Sequence, residues 1–279
     1  MGLGVVKAGV RRLIAVQSFN SERRAAGLPE VRASHHLVFT GNPGTGKTTV
    51  ARLVARLYRT IGISSRGQLV EASRASLVAG YVGQTALKVQ EVVRTAIGGI
   101  LFIDEAYSLA PEGPWDFGNE AIATLVQMME ESRHDLAVIA AGYPEEMKRF
   151  IDSNPGLRSR FTTYIDFPDY AADELVEIFE AMAAQAKVRL GPGVIDAVRR
   201  RCADTAGAQN FGNARFVRSL FEEAYANLAA RAGSDGKIER AEIEDLALAD
   251  VPKEDHHQFI EHRGIGFRPP SEPAAQAGA

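Results

Sequence analysis

The sequence predicts an α/β fold: a parallel sheet with helices on both faces, followed by a small all-helical unit. Three observations predict it. The segment Gly41-Asn42-Pro43-Gly44-Thr45-Gly46-Lys47-Thr48 satisfies the pattern G-x-x-x-x-G-K-[ST] and lies between a short apolar run and an amphipathic one. A second apolar run, Ile100-Leu101-Phe102-Ile103, ends on Asp104-Glu105. Strand and helix patterns alternate as far as Phe167, and beyond Pro168 only helical periodicity continues.

In chain order, residues 2–28 read as a helix with Val5, Val6, Val10, Leu13, Ile14 and Val16 on one face and Lys7, Arg11, Arg12, Arg23 and Arg24 over much of the rest. That basic face meets either solvent, phosphate or a neighbouring subunit. The helix starts almost at the first residue, which leaves a longer precursor open. Residues 36–40 form a buried strand, and 47–58 a helix with Val50, Leu53, Val54 and Leu57 at helical spacing. A strand follows at 68–72 and a helix at 85–97, stopped by Gly98-Gly99. The run 100–103 is apolar at every position, as a parallel strand covered on both faces requires. Then come a helix at 119–132, a strand at 136–141, a helix at 145–152 and a strand at 162–167. Helices at 173–186, 192–205, 213–232 and near 240–248 make a second domain. The expected divisions are 1–168, 169–252 and a mobile tail at 253–279, rich in His, Gly and Pro.

Composition narrows the function classes. The chain has 279 residues, 24% charged and 46% apolar, with a net charge of −3, so no global basic field points to nucleic acid. One cysteine, Cys202, excludes an internal disulfide framework and any multi-cysteine metal site. No apolar run reaches the roughly 18 residues that span a bilayer, and no signal-peptide pattern opens the chain. A cytoplasmic location without membrane insertion is expected. The six histidines show no metal-ligand spacing, which leaves Mg²⁺ as the expected metal.

Glycines at 41, 44 and 46 let the backbone wrap a phosphate with several N–H groups pointing inward, and the following helix adds its own N-terminal N–H groups. The expected nucleotide-binding set is Asn42, Pro43, Gly44, Thr45, Gly46, Lys47, Thr48 and Thr49. Lys47 reaches the β- and γ-phosphates, and the Thr48 hydroxyl ligates Mg²⁺. Asp104, at a strand end, holds the metal from the other side, and Glu105 polarises an attacking water as general base. Adjacent acids can also merely begin a helix, and a glycine-rich turn can merely precede one. Together on one α/β domain, the two motifs specify ATP or GTP hydrolysis.

These motifs resemble those of the AAA+ ATPases over roughly residues 2–250. The stretches 77–86, with Gly80-Tyr81-Val82-Gly83 inside it, 101–107, Ala141-Gly142-Tyr143 and 153–161 are similar to one branch of that family. It contains red-type Rubisco activase, stage V sporulation protein K and the C-terminal ATPase of type VII secretion chaperones. The resemblance implies a P-loop NTPase sheet with a helical lid, and ATP with Mg²⁺ bound between subunits of a hexameric ring. Arg158 and Arg160 match the positions of arginines supplied to a neighbour's nucleotide; either one can be the finger. Arg215, in Gly212-Asn213-Ala214-Arg215, matches the lid arginine directed at the γ-phosphate. Tyr81 matches an aromatic pore residue that grips a polypeptide client. Gly142-Tyr143 stands where many members of the wider family carry Asn or Thr to orient water, so Tyr143 either bonds near the phosphates or only packs. Trp115 belongs either to a second pore loop or to local packing. Two functions follow: a ring motor that remodels or threads a protein client, or a nucleotide-dependent assembly switch that docks partners without threading.

Overall fold

The structure, a computed structural model, describes residues 4–29, 34–81, 83–111, 113, 116–205, 207, 211–233 and 243–253. Its elements run α1 (Gly4–Ala25), β1 (Leu37–Gly41), α2 (Lys47–Thr60), β2 (Leu69–Ala72), α3 (Arg74–Leu77), α4 (Gln84–Ala96), β3 (Gly99–Ile103), α5 (Gly118–Glu131), β4 (Leu136–Gly142), α6 (Pro144–Asp152), α7 (Pro155–Arg160), β5 (Thr163–Phe167), α8 (Ala172–Ala186), β6 (Arg189–Leu190), α9 (Val194–Thr205), α10 (Ala214–Ala232) and β7 (Asp245–Leu246).

The first five strands form one parallel sheet in the order β2-β3-β4-β1-β5. Alternate residues of each central strand feed two separate cores. Leu37, Phe39, Ile100, Phe102, Ala137 and Ile139 meet α1 and α2 on one face. Val38, Leu101, Ile103, Val138 and Ala140 meet α4, α5, α6 and α7 on the other. This is why the strands are apolar throughout: a parallel strand covered on both faces has no solvent side to carry the polar half of an alternating pattern. Each such Phe, Leu or Ile contributes roughly 1.5–3 kcal/mol by leaving water. β1 and β3 both stop at the same end of the sheet, so the glycine loop and Asp104-Glu105 emerge side by side.

A third core joins α8, α9 and α10, with Val217, Leu220, Ala224 and Leu228 of α10 inside it at helical spacing. Buried Asp250 closes this unit. Its carboxylate accepts from Arg231 Nε at 2.9 Å and Nη2 at 2.8 Å, and that pairing holds its carboxyl below the usual carboxylate range.

The sequence expectations need correction at two places. The second unit is not helical throughout. A helical turn at 243–244 gives way to β7, which pairs in parallel with β6, and a 3-10 turn occupies Leu248–Asp250. Two-residue strands carry no periodicity to read. The Asn-Pro-Gly stretch before β5 starts α7. Asn154 Oδ1 accepts from Gly156 N and Leu157 N, and Pro155 occupies the first helical turn. The helix expected at 2–28 spans Gly4–Ala25 among the described residues. Val82, Trp115 and the stretch expected as a tail from 254 onward lie outside the described residues.

Candidate functional site

β1 delivers the glycine loop. Gly41 ends the strand with φ 145°, and a Cβ there would lie 2.3 Å from the Phe167 carbonyl oxygen of β5. Only glycine lets these two strand ends run so close. Gly46, with φ 93°, turns the loop into α2, whose first residue is Lys47. The Lys47 ammonium is folded back over the loop, donating to Gly41 O at 2.6 Å and Asn42 O at 2.8 Å. Burial lowers the Lys47 pKa; Asp104 opposes that shift and Arg215 adds to it. Thr45 is fully buried, and its hydroxyl donates to Asn42 O at 2.8 Å.

β3 delivers the acids. Asp104 N donates to Ala72 O of β2 at 3.0 Å, and Asp104 Oδ1 accepts from Glu105 N at 3.1 Å. Glu105 stands at φ 49°, ψ 44°, the left-handed region that costs a non-glycine residue about 1–3 kcal/mol. That conformation turns the chain sharply from β3 into a 3-10 turn at Ala106–Leu109 and leaves the Glu105 side chain exposed.

Loop, acids and lid enclose a cavity of about 380 Å³. Pro43, Gly44, Gly46, Lys47, Thr48, Thr49, Asp104, Glu105 and Arg215, all singled out from the sequence, line it together. Asn42 and Thr45 do not line it: the Asn42 amide turns to Asp169 Oδ1 and Oδ2, both at 3.0 Å, and Thr45 is spent inside the loop. Arg158, Arg160 and Tyr81 lie elsewhere.

Sequence reasoning missed several participants. Arg52 and Arg218 line the cavity, one helical turn beyond Thr48 and Arg215, a spacing that could have found them. Asp169 and Tyr170 carried no signal, because their part is to bond the loop's own atoms, and the motif that contains Asn213 did not disclose the same part for it. Gly142 and Tyr143, both singled out from the sequence, line the cavity as well, and a Cβ at Gly142 would lie 2.7 Å from Tyr107 Cδ1 and 2.9 Å from Met147 Sδ. Tyr107 in turn stacks obliquely on Tyr143 at 6.0 Å. Burial pushes the Tyr107 phenol up to about 12, with Glu105 adding to the shift.

The model of the ATPase family associated with various cellular activities (AAA) matches residues 37–169, and the AAA lid domain model matches residues 171–259. Stage V sporulation protein K of Bacillus subtilis is 42% identical over 234 residues, covering 83% of this chain and 73% of that protein. The chloroplastic ribulose bisphosphate carboxylase/oxygenase activase of Cyanidioschyzon merolae is 40% identical over 260 residues, covering 90% and 85%. This chain belongs to the AAA family of ATPases. The relatives put it in the branch that the sequence motifs resemble. The crystal structure of the FIGL-1 AAA domain in complex with ADP superposes with a TM-score of 0.64 at 22% identity, over 89% of this chain and 79% of that one, and shares the fold. ATP hydrolysis is the activity of this AAA ATPase, and the cavity is where its motifs converge. Among the described residues no helix is long and apolar enough to cross a membrane.

Proposed function

We propose that this AAA ATPase works as a hexameric ring of like subunits, that each nucleotide is completed by a neighbour's Arg158, and that the ring remodels a protein client drawn past Tyr81. The observation that carries the reading is a separation. β5 runs parallel to β1 with Thr163 opposite Leu37 and Phe167 opposite Gly41. Arg158 and Arg160 precede the start of β5, whereas the glycine loop follows the end of β1. Five strand residues at about 3.3 Å each put roughly 16 Å between those ends. An arginine at the far end serves a different copy's cavity, not its own.

The two arginines differ in freedom. Arg158 is 63% exposed and pairs with exposed Asp152 at 2.9 Å. Such a pair is worth at most about 1 kcal/mol and is readily exchanged for a phosphate. Arg160 is 23% exposed, pairs with Glu130 at 3.2 Å and donates to Gly156 O at 3.3 Å. Its own carbonyl accepts from Ser34 Oγ. Arg160 braces α7; Arg158 is the finger.

Within one subunit, Lys47 leaves the loop carbonyls for the β- and γ-phosphates, and Glu105 takes a proton from the attacking water. Arg215 brings the lid to the γ-phosphate. Thr48 and Asp104 present oxygen donors in the same cavity, the ligand type that suits Mg²⁺. When bound, Mg²⁺ neutralises charge on the phosphate oxygens. A cytoplasmic site of action goes with the use of ATP.

Tyr81 is 74% exposed. The base of its loop is tied down: Ala79 N donates to buried Thr85 Oγ1 at 3.1 Å, and Lys88 Nζ donates to Ala75 O at 2.7 Å and Val78 O at 3.0 Å. A fixed base with an exposed aromatic tip supports a gripping role. The relative named as an activase of another enzyme supports a protein client. The test is a photo-crosslinker in place of Tyr81, in a Glu105→Gln chain saturated with ATP. Crosslinks to a bound polypeptide within an assembly of six chains are expected. Partners that attach only at other surfaces would favour the switch and sink the threading.

A further inference from the structure

The glycine loop is held from outside by Asn213, Asp169 and Tyr170, none of which lines the cavity. Asn213, fully buried, stands at φ 47°, ψ −122°, a backbone conformation that L-residues avoid. Four side-chain bonds hold it there. Its two amide hydrogens, one of them shared, serve Asp169 Oδ1 at 2.7 Å, Phe211 O at 3.1 Å and Pro43 O at 3.3 Å, and its Oδ1 accepts from Tyr170 N at 2.9 Å. The next residue, Ala214, donates its N–H to Gly44 O at 3.3 Å. The Tyr170 hydroxyl donates to Thr45 O at 3.1 Å. Three consecutive loop carbonyls, at 43, 44 and 45, are therefore occupied by the lid and by the segment that joins it to β5. Asp169 completes the bridge by accepting from Asn42 Nδ2 as well.

In a trans peptide the C=O of one residue and the N–H of the next point in opposite directions. Fixing the carbonyls of Pro43, Gly44 and Thr45 on the lid side turns the N–H groups of Gly44, Thr45 and Gly46 to the other side of the loop. Inward-turned N–H groups are what a phosphate-binding loop uses. The contact is also tight: a Cβ on Gly44 would lie 2.1 Å from Gly212 O.

We propose that Asn213, Asp169 and Asn42 are positioning residues, a bridge that sets the peptide planes of the phosphate loop and ties that setting to the seat of the lid, two residues before Arg215. Phosphate affinity then depends on side chains outside the cavity. The same bridge carries nucleotide state from the loop to the start of α10.

The test exchanges the partners. Asn42→Asp sets a second carboxylate against Asp169 and opens the bridge. In the Asn42→Asp/Asp169→Asn double variant, Asn at 169 donates to Asp at 42 and still accepts from Asn213, and the net charge equals that of the parent. The readout is the Kd of mant-ADP on the single chain, which is independent of ring assembly, with thermal unfolding as the control for folding. The expected result is a Kd raised at least tenfold in Asn42→Asp and returned to within threefold of the parent in the double variant. A double variant that binds no better than Asn42→Asp, or an Asn42→Asp chain that binds like the parent, overturns the proposal. If Asn42→Asp does not fold, Asp169→Ala is read in the same assay. A tenfold rise supports the bridge, and a Kd within twofold of the parent overturns it.

Discussion

Arg158 Nη2 lies 2.9 Å from Asp152 Oδ1, at the end of the sheet opposite Lys47. The pair is solvent-exposed on both sides, so it holds the guanidinium in place at little energetic cost to its release. Arg158→Ala is expected to lower kcat by ~10³-fold, the scale of a finger arginine, with the unfolding temperature unchanged. Arg160→Ala is expected to do the reverse in kind. It removes the partner of Glu130 and a half-buried side chain from α7, so the melting temperature falls. Steady-state ATPase assays and thermal melts on the two variants separate the roles.

Glu105→Gln keeps the shape of the cavity and removes the base. Nucleotide binding should stay within a few-fold of the parent while turnover drops by ~10²–10⁴. Lys47→Ala, in contrast, should lose nucleotide binding itself, because the loop then has no cation for the phosphates. Equilibrium binding of mant-ADP together with phosphate-release kinetics distinguishes the two outcomes.

His36 is a buried neutral imidazole whose Nδ1 accepts from Val138 N at 3.0 Å. Burial, then His35 and Arg160, push it down to about 4 from an ordinary 6.5. The unfolded chain therefore takes up a proton at a pH where the folded chain does not. Stability from this group is complete above pH 6.5 and falls as pH drops toward 4, by up to roughly 3 kcal/mol. His36→Asn keeps an acceptor for Val138 N without titrating. Urea unfolding between pH 7 and 4 should show a flatter acid limb in that variant than in the parent.

Gly142→Ala places a methyl group 2.7 Å from Tyr107 Cδ1 and 2.9 Å from Met147 Sδ. Overpacking of this kind costs about 1–3 kcal/mol and displaces the tyrosine pair beside Glu105. A lowered unfolding midpoint with a reduced kcat is expected; unchanged values for both would show that the strand end yields without strain.

How far the sequence could be read follows from what each residue's role looks like locally. Strand β3 was legible because four consecutive apolar residues before two acids have few other uses. The loop from Gly41 to Thr48 was legible because its chemistry needs fixed residues at fixed spacing. α7 left no trace in the sequence pattern because a helix of six residues is too short to show periodicity. β6 and β7 were invisible at two residues each. Asn213 stood inside a recognised motif, yet its function was hidden: it bonds residues more than 40 positions away, and nothing in the local pattern encodes that. The same holds for the separation of Arg158 from Lys47, which exists only once β5 is set in register beside β1.

The most direct test of the shared site mixes two inactive chains. Lys47→Ala supplies Arg158 but binds no nucleotide, and Arg158→Ala binds nucleotide but supplies no finger. Each alone should turn over ATP at background rate. Mixed in equal amounts and allowed to assemble, they should regain ATPase activity, because some interfaces pair an intact cavity with an intact arginine. A mixture no more active than its components, or an Arg158→Ala chain as active as the parent, would contradict a nucleotide site completed by a neighbouring copy.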